Sequence, residues 1–131
     1  MLYIIEPRLS LIVLEITFCF FMNWIPLTTE TQLQQLTAFS ATRPQVIYKH
    51  STRCGISSLA KSRLERQYQP TDIDFHYLDL IAHRPLSNAI AERFKIHHES
   101  PQVLLIKNGI CVYNESHSGI SMNDIVDANG L

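Results

Sequence analysis

The stretch QVIYKHSTRCGISSL, residues 45–59, places one cysteine at the junction between a strand and a helix. Its β-branched and aromatic beginning predicts a buried strand, and the apolar spacing that starts at Ile56 predicts a helix. Cys54 then lies among the first backbone N–H groups of that helix, which have no acceptor within it. Those donors, the helix dipole and the neighbouring Arg53 favour a thiolate, the form that a redox or nucleophilic cysteine uses. A partly buried, inert cysteine is the alternative.

Composition argues against several classes of function and of site. The chain has 131 residues and a formal net charge of −1, and no run of Lys or Arg offers a surface to nucleic acid. Its three cysteines are Cys19, Cys54 and Cys111, and this odd, widely spaced set does not match a secreted disulfide framework. Without a Cys-x-x-Cys pair, neither a metal site nor an intramotif dithiol is expected. We therefore predict a globular protein of the reducing cytoplasm.

The first 21 residues differ from the rest of the chain. Residues 9–21 are almost entirely apolar, but Glu15 interrupts them, and a spanning helix needs about 20 apolar residues without a central carboxylate. No small-x-small cleavage pattern of a signal peptide follows them. Three interpretations stay open: translation that begins at Met22, a membrane anchor or signal segment, and an ordered part of the fold. We expect residues 1–21 to be an N-terminal apolar extension and residues 22–131 to be the functional domain, with no membrane contact unless the extension is an anchor.

From Met22 onward, helical and strand patterns alternate in the order α-β-α-β-α-β-β-α. The predicted helices are 29–39, 56–68, 87–94 and 122–128, and the predicted strands are 46–49, 74–80, 103–106 and 110–114. Ser87 and Ser121 are expected to cap the last two helices, and Phe39 is expected on the buried face of the first one together with Leu33 and Leu36.

The connections between these elements predict the fold class. A helix joins the first two strands, so they are expected to be parallel, with a right-handed crossover. Asn108-Gly109 predicts a tight hairpin between the last two strands, because both residue types tolerate positive φ. The sequence thus predicts an α/β protein with a mixed four-stranded sheet flanked by helices on both faces, which is the layout of the thioredoxin fold.

Five segments carry a resemblance to one branch of that fold. They are MNWIPL (22–27), STRCGIS (51–57), SNAIA (87–91), HESPQVLLIKNG (98–109) and HSGIS (117–121). With these segments the chain resembles the monothiol bacilliredoxins, thioredoxin-like proteins of the bacillithiol system, from Met22 to the C-terminus. Gly55 stands where a proline often follows the cysteine in that family.

The resemblance implies thiol–disulfide exchange. Cys54 would take bacillithiol from an S-thiolated client protein, so that this low-molecular-weight thiol is a co-substrate and no cofactor is bound. Ser57 stands where a dithiol thioredoxin has its second cysteine, and its hydroxyl can donate a hydrogen bond to the Cys54 thiolate. Two alternatives stay open: a thioredoxin-fold stress or binding protein whose Cys54 is only a target of S-thiolation, and a glutaredoxin-like use of glutathione.

The resemblance also implies a second part of the site at Ser100-Pro101. A cis proline faces the active cysteine in thioredoxin-like folds, and the backbone of the residue before it pairs with the extended substrate. The alternative is that Pro101 only begins an edge strand. Thr52 and Arg53 are further candidates for contact with a charged thiol ligand. Cys111 is predicted to be a packed strand residue, and His97-His98 to lie in a surface loop.

Overall fold

The computed structural model describes residues 21–131, so nearly all of the apolar extension, with Cys19, lies outside the described residues. Within that range, none of the helices combines the length and the apolar character that a membrane span requires.

The centre of the fold is a mixed sheet of five strands. They are β1 (Trp24–Pro26), β2 (Gln45–His50), β3 (Asp74–Asp79), β4 (Gln102–Lys107) and β5 (Ile110–Ser116), in the spatial order β1-β3-β2-β4-β5. Both β1 and β2 are parallel to β3, whereas β4 is antiparallel to β2 and β5 is antiparallel to β4. The expected parallel crossover and the final hairpin are therefore confirmed.

The expectation of four strands was one strand short, because Trp24–Pro26 pairs with the edge of the sheet. Three residues are too few to show an alternating pattern, so the sequence indicated only an extended segment. What holds β1 in place is largely the indole of Trp24. Its ring packs against those of Tyr48, Phe75 and Tyr77 at centroid distances of 5.6–6.2 Å, and its Nε1 donates a hydrogen bond to Glu65.

Four α-helices cover the two faces of the sheet. They are α1 (Glu30–Phe39), α2 (Gly55–Gln67), α3 (Arg84–Phe94) and α4 (Met122–Asn129), and a short 3₁₀ helix, His117–Gly119, precedes the last. Val46 and Tyr48 of β2 pack with α2 and α4 in one core, whereas Ile47 packs with α1 and α3 in the other. Successive residues of a strand point to opposite faces, so one buried strand supplies both cores.

Two of the predicted helix starts are confirmed and one is wrong. Thr29 caps α1 in a reciprocal capping box with Gln32, and Ser121 caps α4. The third helix was expected to begin after Ser87, but α3 begins at Arg84, because Pro85 presets the helical backbone in its first turn. Ser87 is instead buried inside α3.

The sequence also made predictions for the buried face of α1 and for the turn between the last two strands. Leu33 and Leu36 are buried as expected, but Phe39, the last residue of α1, is 63% exposed, so that expectation is wrong. Asn108 and Gly109 form the turn between β4 and β5 with φ of 53° and 78°, which confirms the predicted hairpin.

Two loops lie next to each other at one end of the central strands β2 and β4. Lys49 at the end of β2 is paired with Gln102 at the start of the antiparallel β4. At this end of the sheet the chain leaves β2 toward Cys54, and at the same end it enters β4 from Pro101. The two segments that the sequence singled out are therefore neighbours in the fold.

We expect the central strands to account for much of the stability. Leu104 of β4 has no exposed surface, so Leu104→Ala should lower the free energy of unfolding by about 2 to 5 kcal/mol. Val112 on the edge strand β5 is 46% exposed, and Val112→Ala, the matched control, should cost less than about 1 kcal/mol. Urea denaturation followed by circular dichroism measures both, and equal losses would contradict this description of the core.

Candidate active site

Cys54 is the N-cap residue of α2 and has an extended backbone, with φ −108° and ψ 118°. Its N–H donates to the carbonyl of Ser51 at 3.1 Å, and its own carbonyl accepts the first helical hydrogen bond, from Ser58, at 3.1 Å. The residue is partly exposed. The predicted position at the start of a helix is thus confirmed, at the end where backbone N–H groups have no intrahelical acceptor. The side chain of Cys54 makes no capping hydrogen bond to them.

Thr52 and Arg53 lie in the loop between β2 and Cys54, and both are exposed. Their side chains are free of the two cores, so they are placed where a ligand of Cys54 can reach them. Their contact with a thiol substrate, and the effect of the Arg53 charge on the thiolate, stay predictions.

Ser57 is completely buried in the first turn of α2. Its Oγ accepts a hydrogen bond from the N–H of Ser51 at 3.0 Å and lies 2.7 Å from Nδ1 of His50. A hydroxyl has a single proton to donate. When Nδ1 of His50 carries no proton, it competes with a Cys54 thiolate for the hydroxyl proton of Ser57. The predicted hydrogen bond from Ser57 to the thiolate stays a prediction.

Aromatic rings enclose this network on the sheet side. Tyr48 donates a hydrogen bond to the carbonyl of Ser57 at 2.6 Å, and burial raises the pKa of Tyr48 to about 12, so the phenol stays protonated. The imidazole of His50 lies beside the rings of Tyr48 and Tyr77, with centroid distances of 5.9 and 5.4 Å. Burial lowers the pKa of His50, and the charge of Lys61 lowers it further against the opposing effect of Asp79.

The Ser100-Pro101 peptide bond is cis, as expected from the sequence. Pro101 is buried, and its carbonyl accepts a hydrogen bond from His117 at 3.1 Å. The Oγ of Ser100 is buried and has no hydrogen-bond partner within residues 21–131. The use of the Ser100 backbone to bind an extended substrate stays a prediction.

Lys49 is a buried cation that the sequence analysis missed. Its side chain has no exposed surface, and its Nζ donates to the carbonyl of Ser87 at 3.1 Å and lies 3.2 Å from Nδ1 of His98. No carboxylate in the described part of the chain lies within ion-pair distance of it. Burial therefore lowers the pKa of Lys49 to about 8. A lysine within a strand predicted to be buried was the signal that could have revealed this site.

The two adjacent histidines differ in their surroundings. Both lie in a loop, as expected. His97 is exposed, whereas His98 is partly buried, with its Nδ1 close to Lys49, a contact that the sequence did not predict. Burial lowers the pKa of His98, and the nearby charge of Lys49 adds to that effect. His98 thereby ties the segment that leads to Pro101 to the end of β2.

Cys111 lies at the opposite end of the sheet from Cys54. It is paired through Ile106 with Gln45, the first residue of β2, whereas Cys54 follows the last. Five residues of strand separate those ends by about 16 Å, far beyond the reach of a disulfide. The thiol of Cys111 donates to the carbonyl of Tyr113, and burial raises its pKa, so the prediction of a packed strand residue is confirmed.

Comparison with known proteins identifies the family and the fold of this chain. The model of the family described as monothiol bacilliredoxin BrxC matches residues 25–125. A solved structure of a proposed oxidoreductase with a thioredoxin fold is 30% identical, with a TM-score of 0.71, and the match covers 80% of this chain and 92% of that one.

Thioredoxins from two fungi share the fold at low identity. Mitochondrial thioredoxin 3 of Saccharomyces cerevisiae in its oxidised form is 17% identical, with a TM-score of 0.65 and coverage of 82% of this chain and 95% of that one. A thioredoxin of Malassezia sympodialis is 13% identical, with a TM-score of 0.66 and coverage of 87% and 96%.

Lys49 should make stability depend on pH. The unfolded chain holds the lysine proton up to about pH 10.5, whereas the native protein loses it above about pH 8, so the unfolded state binds more protons in between and stability rises with pH there. Relative to Lys49→Met, which has no such group, the wild-type free energy of unfolding should rise by roughly 2 kcal/mol from pH 7 to pH 10. Urea titrations at several pH values measure this, and parallel curves for the two proteins would contradict it.

Proposed function

Because the chain belongs to the monothiol bacilliredoxin family, which makes it a thiol-redox protein of the thioredoxin fold, we propose that it removes bacillithiol from S-bacillithiolated protein cysteines. The reacting atom in this proposal is the sulfur of Cys54. Bacillithiol is a co-substrate rather than a bound cofactor, and the partners are S-thiolated client proteins.

The observation that carries the proposal is the single cysteine at the start of α2. Ser57 occupies the position three residues on, where a dithiol enzyme needs its second sulfur, and Cys111 lies at the far end of the sheet. Neither residue can close a disulfide with Cys54 within one domain. Within residues 21–131, then, no second thiol can resolve a mixed disulfide on Cys54, which supports a monothiol mechanism in which a thiol from another molecule resolves it.

The proposed reaction has two exchange steps. The Cys54 thiolate attacks the bacillithiol sulfur of the mixed disulfide, a new S–S bond forms to Cys54, and the client cysteine leaves with the electron pair and takes up a proton. The thiolate of a second bacillithiol then attacks the bacillithiol sulfur on Cys54. This step releases oxidised bacillithiol, a symmetric disulfide, and restores the Cys54 thiolate.

Neighbouring groups support this exchange. The N–H groups at the start of α2 favour negative charge on the sulfur, both before attack and when Cys54 becomes the leaving group. The backbone of Ser100 beside the cis Pro101 is the proposed site for the extended client segment, and Thr52 and Arg53 are proposed to contact the polar part of bacillithiol. These four residues lie in the two neighbouring loops at one end of the strands β2 and β4.

The two described cysteines should differ sharply in their contribution to activity. Cys54→Ser should abolish the release of bacillithiol from a modified client, because a hydroxyl cannot accept it in a disulfide. Cys111→Ser, the matched control, should keep most of the activity. Mass spectrometry of the client, which records the loss of the bacillithiol mass with time in the presence of free bacillithiol, measures both variants.

Two outcomes would contradict the proposal. Loss of activity in Cys111→Ser, with an unchanged circular dichroism spectrum, would point to a two-cysteine scheme. A wild-type protein whose Cys54 accepts bacillithiol from its oxidised form but never demodifies a client would be a target of S-thiolation only.

A further inference from the structure

His50 is a buried side chain that the exchange reaction itself does not use. We propose that His50 is a positioning residue for Cys54, and that it acts through the hydroxyl of Ser57 and the backbone of Ser51. This inference rests on the proposed function only in taking Cys54 as the reacting group.

A continuous chain of hydrogen bonds links the imidazole to the cysteine. Nδ1 of His50 contacts Ser57 Oγ at 2.7 Å, and the same oxygen accepts the N–H of Ser51 at 3.0 Å. The carbonyl of Ser51 in turn accepts the N–H of Cys54 at 3.1 Å. Ser51 is therefore held at both its N–H and its carbonyl, and these two hydrogen bonds tie the turn that ends at Cys54 to Ser57.

The imidazole is itself packed against the sheet. Its ring lies beside those of Tyr48 and Tyr77, and the backbone carbonyl of His50 accepts a hydrogen bond from the N–H of Leu80 at 3.0 Å. The residue ends β2, where it is paired with Asp79 of β3. A side chain fixed by the sheet thus sets the position of a loop that lies outside the sheet.

The contact does not depend on which ring nitrogen carries the proton. With the proton on Nε2, Nδ1 accepts the hydrogen bond of the Ser57 hydroxyl. With the proton on Nδ1, the imidazole donates to Ser57 Oγ, and the hydroxyl proton becomes available to Tyr48 Oη at 3.4 Å or to the Cys54 sulfur. In both forms Ser57 Oγ remains the acceptor for Ser51, because the oxygen has two lone pairs.

Burial makes this contact costly to lose. Ser57 has no exposed surface and His50 is only 6% exposed, so water cannot readily replace a missing partner. Without Nδ1, Ser57 Oγ loses one of the contacts that hold it in place, and the Ser51 turn that depends on this oxygen loosens. Cys54 is then held less firmly at the start of α2.

The test compares three substitutions of His50 in the full chain. His50→Phe keeps an aromatic ring beside Tyr48 and Tyr77 but removes Nδ1. His50→Asn places an amide where Nδ1 stands, and His50→Gln places the amide where Nε2 stands. The readout is the rate of Cys54 alkylation by iodoacetamide between pH 5 and pH 9, followed on the Cys54 peptide by mass spectrometry. That peptide separates Cys54 from the other cysteines.

We expect a pattern that a purely structural role would not give. His50→Phe and His50→Gln should slow alkylation at pH 7 by about tenfold, the size of effect expected from one lost buried hydrogen bond. His50→Asn should restore the rate to within about twofold, because its amide can take the place of Nδ1. If His50→Phe does not fold, the comparison of His50→Asn with His50→Gln is enough to test the proposal, since these two variants differ mainly in the position of the amide.

A double-mutant cycle tests the route through Ser57. In a Ser57→Ala background, His50→Phe should slow alkylation no further, because the hydroxyl through which His50 acts is gone. Equal slowing in both backgrounds would overturn the proposal, and so would equal rates for the Asn and Gln variants or a wild-type rate for His50→Phe.

The readout also separates this inference from the proposed function. Iodoacetamide reports on Cys54 without bacillithiol or a client. The expected alkylation pattern without any transfer of bacillithiol would refute the proposed function alone. Transfer of bacillithiol by a protein in which His50 can be replaced freely would refute the positioning role alone.

Discussion

The structure depends on one constraint, which is that β2 is buried along its whole length, with a strand on each side and helices on each face. Alternate side chains of β2 must enter opposite layers, so Tyr48 and His50 meet α2 whereas Lys49 meets α3. Because β4 is antiparallel to β2, the end from which the chain leaves toward Cys54 is also the end at which it enters β4 from Pro101. Both loops of the candidate site follow from this pairing.

The last two residues of β2 carry polar groups into two apolar layers, where an unpartnered group is costly. Each contacts a residue that lies next to or within one of the two loops. His50 contacts Ser57 and so holds the turn at Cys54, while Lys49 contacts His98 and so holds the segment before Pro101. Consecutive residues of one strand thereby fix the two sides of the site relative to each other.

Local patterns were enough to predict much of this arrangement. The apolar run of β2, the helix that follows Cys54 and the turn at Asn108 each depend on neighbouring residues alone, and the structure confirms them. The missed features depend on distant partners: β1 exists because Trp24 meets rings from two other strands, and Lys49 is tolerated because of residues 38 and 49 positions away. No periodicity in the sequence encodes such contacts.

The separation of Cys54 and Cys111 by the length of the sheet has a consequence for how a cell could tune this protein. With no internal disulfide possible between them, a disulfide on Cys54 must be shared with a thiol from outside the described domain. The fraction of Cys54 that is held in a mixed disulfide then follows the ratio of disulfide to free thiol in its surroundings. The domain would therefore respond to the redox state of the surrounding thiol pool.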